Sequence, residues 1–176
     1  MMRDLHALLT PRHALGPLEL RRETLAFVTL PAPNLRGFLT ELRDTQGFSH
    51  LVLLTAVDWL EEGQFQLTYM MNNRARDLTL GVRVMLDRTT AQMDSIHDLW
   101  PTAATYQREL KEMFGITFPG SPRLDEEFIV EGWTDLPPYR RDFDSLAYSQ
   151  QTYAERPGRV THDPREYMKS KLYPGG

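Results

Sequence analysis

Apolar residues recur along this chain at periods that identify the elements they belong to. TLAFVTL (24–30) is dense in strand formers and predicts a β-strand. Leu35, Phe38, Leu39 and Leu42 then recur at helical spacing within 31–48, which predicts an amphipathic helix. Three more strands are predicted by HLVLLTAVDW (50–59), QFQLTYMM (64–71) and LTLGVRVML (78–86), separated by a Glu-Gly step and by the polar Asn72-Asn73-Arg74. Connections this short imply antiparallel hairpins. In the third strand Leu78, Leu80, Val82, Val84 and Leu86 share one face while Thr79 and Arg83 lie on the other, as in a sheet that helices cover on one side.

Beyond a turn at 87–90, the pattern predicts a short helical piece ending near Leu99-Trp100, and Pro101 suits the first turn of the next helix. In that helix Ala103, Tyr106, Leu110, Met113 and Phe114 form one stripe, and Arg108 and Glu112 make an i, i+4 pair on the polar side. Gly115 supplies the left-handed C-cap, and Ile116 is placed to pack back on the last turn. Residues 1–23 read as a short N-terminal helix, interrupted by Pro11, and a lead-in. The expected class is therefore α+β: a small, mainly antiparallel sheet flanked by helices, with its core over 24–118.

After Phe118 the periodicity stops. That part of the chain holds seven of the twelve prolines and five of the seven tyrosines, with few aliphatic residues. It divides into a block over 119–143 and an extended, irregular arm over 144–176. Trp133, Tyr139, Phe143, Tyr148, Tyr153, Tyr167 and Tyr173 are spaced like anchors that lie on another protein. The alternative is that this segment folds back on its own domain.

Charge and composition narrow the function. With 176 residues, 41% of them hydrophobic, the chain has material for one core domain with appendages. A formal net charge of −4 and two short basic doublets, Arg21-Arg22 and Arg140-Arg141, give no electrostatic footprint for nucleic acid. The absence of cysteine excludes disulfides, thiolate metal sites and cysteine nucleophiles in this chain. The longest apolar run, LVLLTAV (51–57), is far shorter than the roughly 20 residues of a membrane span. Glu109 and Glu112 stand three apart and could divide acid and base roles, but on a charged helix face such a pair is more often solvated surface. The five histidines show no metal-binding spacing, GITFPGS (115–121) has no phosphate-loop lysine, and no G-x-S-x-G elbow occurs. A binding or assembly module fits better than an enzyme.

One run carries more than a helix and its stop. YQRELKEMFGITF (106–118), followed by Gly120, Pro122 and Leu124, resembles the signature of the thirty-kilodalton subunit family of respiratory complex I, the C subunit of NADH-quinone oxidoreductase. That signature reads approximately W-x-E-R-E-x-x-D-M-F-G-I-x-F-x-G-H-P-x-L-R-R. Downstream, Trp133 with Pro138-Tyr139-Arg140-Arg141-Asp142-Phe143 resembles the family's second block, W-x-G-x-P-L-R-K-D-Y. Four departures stand out: Gln107 for Glu, Glu112 for Asp, Ser121 for His, and Asp125-Glu126 for the basic pair.

The resemblance implies a subunit without cofactor and without chemistry of its own. It would pack in the hydrophilic arm, at the cytoplasmic face of the membrane, on a large quinone-site or hydrogenase-like subunit and a small iron–sulfur subunit. Iron–sulfur clusters, and a quinone or a nickel–iron centre, would lie in those partners. Partner contacts are expected within the two blocks on Arg108, Glu109, Glu112, Trp133, Arg140, Arg141, Asp142 and Phe143, and, from the aromatic spacing alone, along the arm on Tyr148, Tyr153, Tyr167 and Tyr173, a stretch the resemblance does not cover. The departures leave open the equivalent subunit of an energy-converting membrane-bound [NiFe] hydrogenase or a ferredoxin-linked relative. An acidic pair in place of a basic one would reverse local ion pairing with a partner.

Overall fold

The computed structural model describes residues 1–153 and, beyond them, Arg165, Met168, Lys171 and Leu172. Tyr167 and Tyr173 lie outside the described residues. Two compact units are formed, 1–143 and 144–176.

The first unit is α+β. Helix α1 (Met2–His13) leads into β1 (Glu19–Arg22) and β2 (Leu25–Thr29), then α2 (Leu35–Asp44), β3 (His50–Trp59), β4 (Gln64–Asn73), β5 (Leu78–Asp87) and α3 (Ala103–Phe114). The strands make one sheet in the order β1-β2-β5-β4-β3. Only β2 and β5 run parallel; the other three pairings are antiparallel. The two predicted hairpins are present, with β3 and β4 paired from His50–Asn72 to Trp59–Gln64, and β4 and β5 from Gln64–Asp87 to Asn73–Leu78.

Register follows the alternation in the sequence. Leu54, Tyr69, Val82 and Val28 lie side by side across four strands, and all are buried. The buried stripe of α2, Leu35, Phe38, Leu39 and Leu42, joins this face in one core, as do Leu110, Met113 and Phe114 of α3. Apolar burial is the main stabilising term, each fully buried side chain contributing about 1.5–3 kcal/mol.

Three local expectations change. Helix α1 runs through Pro11 and ends at Ala14, whose φ of 53° is left-handed. Strand β1 appears where only a lead-in was expected: four residues, mostly charged, that the partner strand β2 orders. The piece before Trp100 is a turn, not a helix. Residues 91–95 instead run alongside the chain that leaves α3, with Thr117 N–H donating to Ala91 O at 2.8 Å and Met93 N–H to Thr117 O at 3.0 Å. That partner lies more than twenty residues away, so no local period could announce it.

The second unit begins at Asp144, whose carboxylate caps α4 (Ser145–Thr152) by accepting from the N–H groups of Leu146 and Ala147.

Candidate functional site

The signature helix α3 buries Ala103, Gln107, Leu110, Met113 and Phe114. Gln107 was missed by the stripe predicted from sequence, although it stands at i+4 from Ala103 and i−3 from Leu110. It is fully buried, and its Oε1 accepts from Ser95 Oγ at 2.7 Å. A neutral amide at this depth avoids the cost of burying the carboxylate that the family pattern carries there. Tyr106, expected on the stripe, is half-buried and donates to Val52 O at 2.9 Å.

At the C-terminus of α3, Gly115 takes φ 78° and its N–H donates to Lys111 O. Pro137 packs against this glycine, where an added Cβ would stand only 3.3 Å from the proline ring. The signature and the second block therefore meet at one point. Tyr139 N–H donates to Met113 O at 2.9 Å, satisfying a helix-end carbonyl. The Tyr139 ring meets Phe114 edge-on at 5.7 Å, and Phe114 meets Phe65 of β4 at 6.0 Å.

The polar face of α3 grips the intervening chain. Glu112 does not close an i, i+4 ion pair with Arg108. Its carboxylate accepts from three successive backbone N–H groups, those of Phe128 (2.7 Å), Ile129 (2.8 Å) and Val130 (3.1 Å). Burial raises the Glu112 pKa, but the three N–H donors, helped by the nearby Arg108 charge, outweigh it and hold the carboxyl below its ordinary value. Arg108 lies over the Phe128 ring at 5.2 Å and reaches Glu126 at 3.7 Å. Lys111 pairs with Asp125, and Arg123 with Glu126. The acidic pair that departs from the family pattern is thus matched by basic residues of this same chain. Between α3 and residues 124–137 lies an open cleft of about 230 Å³. Glu109 is half-buried, and its side chain makes no hydrogen bond or ion pair among the described residues.

The second block is fastened to the far end of the sheet. Asp58, buried at 4% exposure on β3, accepts from Arg88 Nε at 2.9 Å, from Arg88 Nη2 at 3.2 Å and from the Arg141 backbone N–H at 2.9 Å. Arg88 also donates to Asp142 at 2.5 Å, and Arg140 reaches Asp142 at 3.3 Å. Arg88, together with Arg140, holds the Asp142 carboxyl below its usual range against the opposing effect of burial. Both guanidinium groups lie over Phe65, at 5.6 and 5.9 Å. Arg141 forms a forked pair with Glu61, lowering the Glu61 pKa.

Trp133 and Phe143 meet edge-on at 5.4 Å. These aromatics and Tyr139, read from sequence as anchors on another protein, all make contacts within the 1–143 unit, while Tyr139 remains 59% exposed. In the second unit Tyr148 is half-buried and Tyr153 is 65% exposed. Among the described residues, no cluster of three or more His, Asp or Glu is placed to hold a metal ion, and no helix is long and apolar enough to cross a membrane.

Known proteins resemble this chain in sequence and in fold. The sequence profile described as respiratory-chain NADH dehydrogenase, 30 Kd subunit, matches residues 28–149. The NADH-quinone oxidoreductase C subunit of Moorella thermoacetica is 33% identical over 116 residues, covering 66% of this chain and 78% of that protein. The Rhodobacter capsulatus C subunit is 34% identical over 140 residues, covering 78% of this chain and 69% of its own length. Of the Phenylobacterium zucineum C subunit the chain spans 65%. Among solved structures, a chain of the membrane-bound sulfane sulfur reductase, an archaeal respiratory membrane complex, superposes with a TM-score of 0.81 at 28% identity, covering 93% of this chain and 96% of that one. The trypsin-resistant fragment of Nqo5 shares the fold, with a TM-score of 0.57 at 22% identity over 69% of this chain and 96% of that one. The profile begins at the end of β2 and spans β3 to β5, α3 and the strapped second block together, and by that match this chain belongs to the thirty-kilodalton subunit family of the respiratory-chain NADH dehydrogenase.

Proposed function

We propose that this chain is a structural subunit, free of cofactor and of chemistry of its own, in the hydrophilic arm of a membrane-bound redox complex of the NADH:quinone oxidoreductase type. It packs on a large quinone-site subunit and a small iron–sulfur subunit at the cytoplasmic face, and the clusters and quinone site belong to those partners. The observation that carries this reading is how the signature spends its charges. Glu112 holds three backbone N–H groups, and Arg88, Arg140 and Arg141 pair with Asp58, Asp142 and Glu61. The conspicuous acids and bases of the motif therefore build a scaffold. Partner contacts fall on what the scaffold presents: Arg108 and Glu109 on α3, Trp133 to Phe143 of the second block, and the tyrosines of the arm.

A second reading has its own support. The likeness to the sulfane sulfur reductase chain extends over 93% of this protein and 96% of that chain, with a TM-score of 0.81 at 28% identity. That length of likeness favours a counterpart in a hydrogenase-type or ferredoxin-linked respiratory complex.

Affinity purification of the tagged, full-length protein from its native cell tests the proposal. Stoichiometric recovery of a large subunit and an iron–sulfur subunit, with iron–sulfur signals in the electron paramagnetic resonance spectrum, supports it; nickel or a cysteine-ligated nickel site in the large subunit selects the second reading. Recovery of the chain alone, with a catalytic activity, overturns both.

A further inference from the structure

The two edges of the sheet are finished in opposite ways. On one side β1 has four residues, three of them charged, and its ladder is interrupted by a register shift between Leu20 and Arg22. Glu19 of β1 pairs with Arg83, which lies over Phe27, and that ring fills the space above Gly81, where a Cβ would come within 2.2 Å. Short length, charge and irregularity are the devices by which proteins keep a sheet edge from pairing further.

Strand β3, at the other edge, packs against α3 and carries a bulge near Val52 and a single charge turned inward. It is ten residues long, contains no lysine, arginine or proline, and pairs with no strand on its outer side among the described residues. Its one carboxylate, Asp58, points inward to Arg88. Tyr106 takes the Val52 carbonyl, so a regular edge begins at Leu53 and runs to Trp59, roughly 23 Å at about 3.3 Å per residue. Leu53, Val57 and Trp59 are 40%, 42% and 40% exposed on the face away from the helices. The half-buried Met70 lies opposite Leu53 there and continues the apolar strip.

We propose that the 53–59 edge of β3 receives an extended segment of a partner subunit as a sixth, edge-paired strand. Main-chain hydrogen bonds would supply the affinity and alternate side chains the choice of partner. The chemistry of the guest is set by the host. Apolar side chains at alternate positions lie beside Leu53, Val57 and Trp59, and a lysine or arginine lies at the end next to Glu62, which is exposed and shares the single Arg141 charge with Glu61. Asp58 and Glu61 hold the second block at that same end of β3, so a partner that meets Arg141 is already positioned to continue along the strand. The inference rests on the subunit reading above.

Its test uses the full chain with its native partners. The Leu53→Lys, Val57→Lys double variant changes two solvent-facing side chains, so the isolated protein should keep the wild-type melting temperature while co-purified partner subunits fall by about tenfold or more. Leu20→Lys on the β1 edge should assemble as wild type. Hydrogen exchange on the unmodified protein decides the matter even if the double variant misfolds: outward amides of 53–59 should exchange freely in the lone subunit and be protected in the complex. Wild-type protein that captures no partner defeats the subunit reading itself. A complex in which 53–59 stays unprotected, or which the folded double variant enters as readily as wild type, overturns the edge proposal alone. Concentration-dependent dimers of the isolated chain that protect 53–59 would replace the partner strand by a second copy and also overturn it.

Discussion

Residues 103–118 and residues 119–143 are held to the same sheet by different physics. The first segment buries an apolar stripe, with Leu110, Met113, Ile116 and Phe118 all at 3% exposure or less. The second leaves Ile129, Leu136 and Tyr139 well exposed and is fastened by carboxylates: Glu112 on three backbone N–H groups, Asp58 on Arg88 and on the Arg141 amide. Burial of apolar surface is non-directional and nearly independent of pH, whereas a carboxylate strap depends on a few atoms and on their ionisation. One region is core; the other is a fitted attachment that keeps its exposed side chains in a defined place.

The largest effect expected from breaking that distinction is at Asp58. Asp58→Ala leaves the buried part of the Arg88 guanidinium and the Arg141 N–H without their acceptor, and should cost on the order of 3 kcal/mol in chemical denaturation, with early exchange of amides at 137–143. If 137–143 stayed protected in that variant, the strap would owe its order to apolar contacts such as Tyr139 on Phe114. Next in size is Glu112→Ala, which strands three N–H groups and should cost about 1–3 kcal/mol, opening 128–130 while the amides of β4 and β5 are unchanged.

Acidification separates the two regions without mutation. Glu112 and Asp142 have folded pKa values below the ordinary 4.5 and 3.8 of their side chains. The stability they contribute is therefore complete above those ordinary values and is lost as pH falls through the lowered, folded ones. Limited proteolysis between pH 6 and pH 3 should cut 119–143 first, with 24–118 still intact; simultaneous cleavage would mean the strap and core unfold as one.

Two positions at the surface, one half-buried and one exposed, sharpen the contrast from its weak end. Glu109→Gln should change stability by less than about 0.5 kcal/mol, because Glu109 fastens nothing among the described residues. If the variant complex assembled with its full set of cofactors yet lost turnover, the scaffold reading of α3 would be wrong. Arg141→Gln removes the solvent-screened fork to Glu61 without adding a like charge beside Glu61 and Glu62, and keeps the backbone bond to Asp58, so the melting temperature of the isolated chain should hold. A fall in the salt resistance of the assembled complex would place Arg141 at a partner.

The amino-acid sequence determined what local period and chain stiffness can specify. Three hairpin strands, the stripe of α2 and the Gly115 stop of α3 follow from spacings of two, three and four residues and from one glycine, and the two family blocks are contiguous words in the chain. What it left undetermined needed partners distant in sequence. Strand β1 has too few apolar residues to announce itself and exists because β2 offers it a ladder. Residues 91–95 extend because Thr117 pairs with them. Glu112 looked like half of an i, i+4 pair until the fold brought three amides from sixteen to eighteen residues away and laid Arg108 over Phe128. Asp58 carried no signal as the last polar residue of an apolar strand, since its role depends on Arg88 and Arg141, thirty and eighty-three residues away. Periodicity reports which side of an element faces the core; only the tertiary structure decides which charge meets which, because that choice is made between elements.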